Sequence, residues 1–274
     1  MNTTRLIPVA VITGASSGIG AVYADRLAKR GYDLVLVGRD EERLRSVSRR
    51  IAEETGRSAA VVVADLTQKP DLLRVEEVLR TQTSITMLVN NAGIAIIGDL
   101  ADADPDRLEQ MVALNVLAPS RLVLAVLPAF IARGGGTIIN ISSAVALAPE
   151  VVGGSYSGTK AYLLNLSLRL QKEASPKGVR VQVVLPGAVR TAIWQKAGTD
   201  INSLPSENVM EAEDLVDAAL AGLDHGETVT IPSLPDAAEW DAYEAARQNL
   251  LPKLSRKTPA ARYRTLAANA VGAK

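Results

Sequence analysis

Short runs of β-branched residues alternate with longer helical patterns along most of this chain, and that alternation restricts the fold more than any other feature. Residues 9–13 read as a first strand, and 34–37, 60–64, 85–89, 137–142, 179–185 and 228–231 as six more. Between them lie helical patterns at 19–30, from Asp40, from about 71, from Pro105 to about 133, and at 155–174. Gly31 ends the first helix. Asp40 is an N-cap for Leu44, Val47 and Ile51 on one face, and Asp104 caps a helix whose first residue is Pro105. Such alternation produces a parallel sheet with right-handed crossovers and helices on both faces.

The bulk chemistry agrees. Aromatic residues make up only 3% of the 274, so the core is built from Ala, Val, Leu and Ile, which suits a buried parallel sheet. Thirty basic residues balance thirty acidic ones, which argues against nucleic acid or an anionic membrane as partner. The absence of cysteine excludes disulfides, thiolate catalysis and cysteine-bound metal. His225 is the only histidine, which counts against a multi-histidine metal site and a Ser-His-Asp triad, so no metal is expected. The apolar run at 7–13 breaks into a glycine-rich loop instead of a secretory cleavage site. The apolar stretch 111–132 is interrupted by Asn115, Arg121 and Pro128, and reads as a buried helix, not a membrane span. A soluble cytoplasmic protein is expected, with no domain boundary in 1–274, a lid at 192–210 and a helical extension at 234–274.

Between the first strand and the first helix stands Thr13-Gly-Ala-Ser-Ser-Gly-Ile-Gly20. Gly14 permits a tight turn, Gly18 lets backbone approach a pyrophosphate, and Gly20 lets helix pack closely on strand. The helix N-terminus offers free N–H groups to phosphate. A tight turn without ligand is the plainer alternative, but the strand–loop–helix context points to dinucleotide binding in a single Rossmann-like, doubly wound domain with a mostly parallel seven-stranded sheet. The second strand then ends Gly38-Arg39, where an NAD enzyme usually has a carboxylate. Without that carboxylate, and with a guanidinium beside it, a 2′-phosphate is favoured. NADP(H) is therefore expected over NAD, with Ser16 as a further donor. The alternative has Arg39 merely paired with Asp40 or Glu41. Asp65 and Leu66, past the third strand, fall where an adenine ring rests; Asp65 reads equally well as a helix cap.

Tyr156 and Lys160 stand four residues apart at the start of a helix, hence on one face. An ammonium beside a phenol lowers its pKa from about 10 and fits it for proton exchange with a carbonyl or alcohol oxygen. Such pairs are also common on exposed helices. Here they are joined by Ile141-Ser-Ser143 and Asn90-Asn-Ala-Gly93, both at carboxyl ends of strands, where an open α/β sheet binds its ligand. Asn115 lies in an otherwise apolar helix, which implies a polar network or ordered water, or else a helix–strand tie.

With Pro186-Gly-Ala-Val-Arg-Thr191, these pieces follow one another over residues 8–191 in an order that resembles the short-chain dehydrogenase/reductase family, whose own glycine-loop variant has three residues between the first two glycines. The resemblance implies a tetrad: Tyr156 as acid/base, Ser143 holding the substrate oxygen, Lys160 lowering the tyrosine pKa and binding the nicotinamide ribose, and Asn115 holding a relay water. Ser143 is preferred to Ser142 because it stands thirteen residues before Tyr156. Cofactor contacts are implied for Gly14, Ser16, Ser17, Gly18, Ile19, Gly20, Arg39, Asp65, Leu66, Asn90, Ala92, Gly93, Tyr156, Lys160, Pro186, Gly187, Val189 and Thr191. Tyr162 reads as packing. The implied activity is hydride transfer between NADP(H) and a carbonyl or secondary alcohol, in a homodimer or homotetramer.

Val145, Val151, Val152 and Trp194 are expected to line an apolar pocket for a hydrophobic substrate. After Glu244 the tail holds Arg247, Lys253, Arg256, Lys257, Arg262, Arg264 and Lys274 and no acid, which reads as a solvated surface or subunit contact, or as a rim attracting an anionic substrate. Two rival functions are a non-catalytic NADP-binding sensor and an epimerase or dehydratase on the same scaffold. The first has no need of a tuned tyrosine, and the second finds little room in 274 residues.

Overall fold

The computed structural model of this chain describes residues 7–152 and 154–263; Arg264 and Lys274 of the basic tail lie outside them. The chain divides into two compact units, Met1–Ser233 and Leu234–Lys274.

The first unit begins with β1 (Val9–Thr13), α1 (Gly18–Lys29), β2 (Asp33–Gly38), α2 (Glu41–Thr55), β3 (Ala59–Val63), α3 (Lys69–Thr81) and β4 (Ile85–Asn90). It continues with α4 (Pro105–Val112), α5 (Ala118–Ala132), β5 (Gly136–Ile141), α6 (Gly154–Ala174), β6 (Val179–Val184), β7 (Ala188–Val189), α7 (Ile193–Lys196), β8 (Val209–Met210), α8 (Ala212–Asp224) and β9 (Val229–Thr230). Seven strands form one parallel sheet in the order β3-β2-β1-β4-β5-β6-β9. The order reverses between β1 and β4. That switch point opens the crevice at the carboxyl ends of the strands.

Strand periodicity assigns the side chains to two layers. Ala10, Ile12, Leu34 and Leu36 face α1, α2 and α8, where Tyr23, Leu27, Leu44, Ile51, Leu215 and Leu220 are buried. Their neighbours Val9, Val11, Val35 and Val37 face α3, α5 and α6, against Leu72, Leu79, Leu122, Phe130 and Leu170. Both faces of the inner strands are covered, which explains why those strands read as continuous apolar runs.

The single helix expected from Pro105 to about Arg133 is instead α4 and α5 joined by one π turn, Ala113–Leu117. Pro119 supplies the reason. It has no N–H for the carbonyl four residues back, that of Asn115, and its ring crowds that carbonyl. By length and composition Pro105–Ala132 could cross a membrane. Here it packs one side into the core through Met111, Leu122, Val126 and Phe130. Arg121 does not break that packing: it reaches Glu76 of α3, whose carboxylate is fully buried and also meets Arg80. Burial pushes the Glu76 pKa up, but the two guanidinium groups outweigh it and hold it below the usual carboxylate range.

The second unit holds α9 (Ala237–Gln248), capped by Asp236, with no buried side chain. Arg247 pairs with Glu244 and Arg262 lies over the Tyr263 ring, so two of the tail cations have partners.

Glu76→Ala should destabilise the fold by about 2 kcal/mol, below the value for a fully buried pair because both arginines reach solvent. The wild-type advantage should fade as pH falls through the depressed carboxylate pKa. Urea denaturation at pH 7 and at acidic pH measures both.

Candidate active site

The glycine loop is a cradle with no room for side chains. Gly14 and Gly18 have φ of 68° and 54°, and a Cβ on Gly20 would stand 2.3 Å from the Gly14 carbonyl oxygen. Ser17 caps α1 without spending its hydroxyl on the cap, and no acid stands in the helix's first turn. Unused N–H groups, the helix dipole and the Ser16 and Ser17 hydroxyls thus form a donor set suited to a diphosphate. Ile19 packs against the core beneath.

Two residues that sequence reasoning passed over hold this cradle. Asn91 Nδ2 donates to the carbonyls of Thr13 (2.9 Å) and Gly14 (3.2 Å). The Thr13 hydroxyl accepts from the Asn91 and Ala92 N–H groups, both at 3.0 Å, and donates to Val89 O. The doubled asparagine was the available signal. Asn90, expected to touch the cofactor, turns instead into the protein: its Nδ2 donates to Asn140 Oδ1 at 2.9 Å. The two are direct neighbours across β4 and β5, and a buried amide pairs with the nearest amide.

Arg39 is well exposed and stands 3.7 Å from the Asp65 carboxylate, while Asp40 and Glu41 pair with Arg43 and Arg45. Asp65 also caps its own turn, accepting from Thr67 N and Oγ1. A Cβ on Gly38 would meet only Leu44, at 3.5 Å or more, so sterics do not forbid an acid there. Leu66, expected to cover an adenine face, is buried in the apolar cluster beside α3 and α5.

At the end of β5 the two serines divide. Ser142 donates to the Lys160 carbonyl at 2.7 Å, which ties strand to helix. Ser143 donates to Pro186 O at 3.3 Å and accepts from Val145 N at 3.4 Å. Lys160 is buried and its Nζ donates to Ile141 O at 3.0 Å. The expected lowering of the tyrosine pKa is not found. Burial pushes the Tyr156 phenol up to about 12, with the Ser143 hydroxyl opposing it. Burial likewise pushes Lys160 down to about 8. The ammonium lies 5.8 Å from the centre of the tyrosine ring, so desolvation outweighs attraction.

Asn115 sits in the π turn, fully enclosed. Its Oδ1 accepts from Ile94 N (3.0 Å), and its Nδ2 donates to Ile94 O (2.8 Å) and Thr159 Oγ1 (3.1 Å). The side chain is therefore committed to protein. A Cβ on Gly93 would come within 3.2 Å of Asn115 Oδ1 and 3.5 Å of Lys160 Nζ, so these three residues meet around one point.

The 186–191 segment closes the other side. The Thr191 methyl lies 3.1 Å from where a Gly18 Cβ would be. The Val189 carbonyl accepts from the Trp194 indole at 2.9 Å, and Pro186 O accepts from Ala144 N. Beyond it, the 192–210 segment is bracketed by the β7–β8 pairing and by Arg190, which reaches Glu211 and Asn202. A cavity of about 790 Å³ opens among Arg190, Thr191, Ala192, Trp194, Asp200 and Ile201. Of the four residues expected to line a pocket, only Trp194 borders it; Val151 is 72% exposed. Tyr162 is not packed away: it is 40% exposed, and its hydroxyl meets Ser120 Oγ at 2.9 Å.

A glycine cradle at the switch point of a doubly wound sheet defines a dinucleotide-binding α/β enzyme. Residues 8–202 match the short chain dehydrogenase family, and the chain belongs to it. It is 48% identical to a short-chain dehydrogenase from Sphingobium yanoikuyae solved in complex with NADPH, with a TM-score of 0.91 over 93% of this chain and 99% of that one. A bulky-bulky ketone specific alcohol dehydrogenase from Comamonas testosteroni is 45% identical, with a TM-score of 0.87 over 94% and 99%. Human 17-beta-hydroxysteroid dehydrogenase type 3 is 33% identical over 250 residues, which cover 88% of this chain and 79% of the human protein. The chain is thus an oxidoreductase acting on CH–OH groups with a nicotinamide cofactor.

Thr13→Val leaves two N–H groups at the cradle unpaired. It should cost about 2 kcal/mol in urea unfolding and weaken nucleotide binding. Unchanged binding would show that the clamp does not shape the cradle.

Proposed function

We propose that this protein is an NADP(H)-dependent carbonyl reductase and secondary-alcohol dehydrogenase for hydrophobic, bulky substrates. One observation carries the reading. Lys160 has three N–H donors, and only the bond to Ile141 O uses one of them among the described residues. A buried ammonium with free donors fits ribose hydroxyls. Beside it stand Tyr156, in the first turn of α6, and Ser143, just past the end of β5.

When bound, the nicotinamide supplies a hydride to the carbonyl carbon. Tyr156 gives its phenolic proton to the carbonyl oxygen, and its raised pKa keeps that proton in place across the neutral range. Ser143 donates to the same oxygen and stabilises the charge growing on it. The Asn115 carbonyl, left without an α-helical donor by Pro119, holds the water through which Tyr156 regains a proton. Gly14, Ser16, Ser17 and Gly18 would cradle the diphosphate, and Val189 and Thr191 would hold the carboxamide. Arg39 turns from Asp65 to a 2′-phosphate, and Gly38 brings no opposing carboxylate. The Sphingobium relative's NADPH complex supports this cofactor, and the Comamonas relative's ketones support the substrate class. Residues 192–210 act as the lid. Exposed Leu117, Leu124 and Tyr162 support a homodimer or homotetramer joined along α5 and α6, working in the cytoplasm.

Tyr156→Phe should lower NADPH-coupled reduction of a bulky aryl ketone on the order of 1,000-fold while NADPH binding is retained. Full turnover in that variant would refute the mechanism. In the wild type, kcat/KM for NADPH, which reports the free enzyme, should fall as pH rises through about 8 and Lys160 loses its charge.

A further inference from the structure

We infer that Asn140 is a positioning residue: through Ser167 its buried amide fixes the height of α6 along β5, and so sets Tyr156 against Ser143. This rests on the catalytic reading above. Asn140 is wholly enclosed in the central strand β5. Its Oδ1 accepts from Asn90 Nδ2 at 2.9 Å, and its Nδ2 donates to Ser167 Oγ at 2.8 Å. Ser167 in turn donates to Leu163 O at 2.7 Å, so its only hydroxyl proton is spent and its oxygen is left to accept from Asn140.

The neighbouring residues of β5 continue the same seam. Lys160 Nζ reaches Ile141 O and Ser142 reaches the Lys160 carbonyl, and Ser143, next along the strand, is the hydroxyl that bears on the Tyr156 phenol. Positions 156, 160 and 167 are spaced by four and seven, which places them on one face of α6. The two bonds at Lys160 form a single pivot. A second tie at Ser167, seven residues on and about 10 Å along the axis, fixes tilt as well as height. Without it the helix can rock about Lys160, and the end that moves carries Tyr156.

The network is not what core packing alone would select. An aliphatic residue is the ordinary occupant of a central strand, and a buried amide costs stability unless fully paired. Here Asn90 Oδ1 has no hydrogen-bond partner among the described residues. A polar link kept despite that cost specifies geometry, because only one register satisfies it.

The test compares Asn140→Leu and Ser167→Ala with Leu170→Ala, a buried residue on the same helix that takes no part in the seam. Ser167→Ala keeps a strong helix former and is the milder variant. Both seam variants should lower kcat for ketone reduction on the order of 100-fold, the effect of misplacement near 1 Å, with KM for NADPH and ketone little changed. In NMR titrations of labelled lysine, Lys160 should move up from about 8 as water enters beside it. Leu170→Ala should lower the melting temperature but leave kcat and the Lys160 titration as in the wild type. Wild-type kcat and wild-type Lys160 titration in both seam variants would overturn the inference, as would Leu170→Ala reproducing their behaviour. If the wild type reduces no ketone, the functional reading fails, and the Lys160 titration alone decides this inference in the same two directions.

Discussion

The burial of Lys160 is the constraint on which the site depends. An ammonium removed from water loses far more than one carbonyl hydrogen bond returns. The protein meets only part of that cost, through Ile141 O, and the amine's proton affinity falls accordingly. What surrounds Lys160 follows from holding such a group in place. Ser142 secures its backbone, Asn115 ties the π turn to the Ile94 segment and to Thr159, and Gly93 leaves open the space between Asn115 and the ammonium.

That arrangement needs a rigid platform, and the sheet provides it. β4 and β5 are central strands covered on both faces, so their carboxyl ends shift little. Charges brace the layer above. Arg26 and Arg30 of α1 reach Asp217 and Asp224 of α8, which fixes the helix whose N-terminus forms the phosphate cradle. These pairs are exposed and contribute little each, but they join the same two helices that the buried cluster of Leu27, Leu215 and Leu220 packs together.

Much of this was legible in the sequence because it depends on local rules. Period-two and continuous apolar runs marked all seven sheet strands, and Asp40 and Asp104 marked their helix starts with the residues that cap them in the structure. The glycine loop declared itself by spacing. What was not legible depends on long-range geometry. The sign of the Tyr156 shift turns on how deeply it is buried, which no four-residue spacing contains. The path of the Asn90 side chain turns on a neighbour fifty residues away. The partner of Arg39 is Asp65, from another strand's end, not either adjacent acid. The π turn was partly legible: Pro119 four residues after Asn115 predicts a lost helical bond, although the helix pattern itself runs on.

The most direct measurement is the affinity of the wild-type protein for NADPH and for NADH, followed by the fluorescence of the reduced nicotinamide. Gly38 and Arg39 at the end of β2 predict that NADPH binds at least about tenfold more tightly, a difference of about 1.4 kcal/mol that narrows as salt is raised. Equal affinities, or tighter binding of NADH, would contradict that assignment, and binding of neither by a folded sample would contradict the account of the cradle itself.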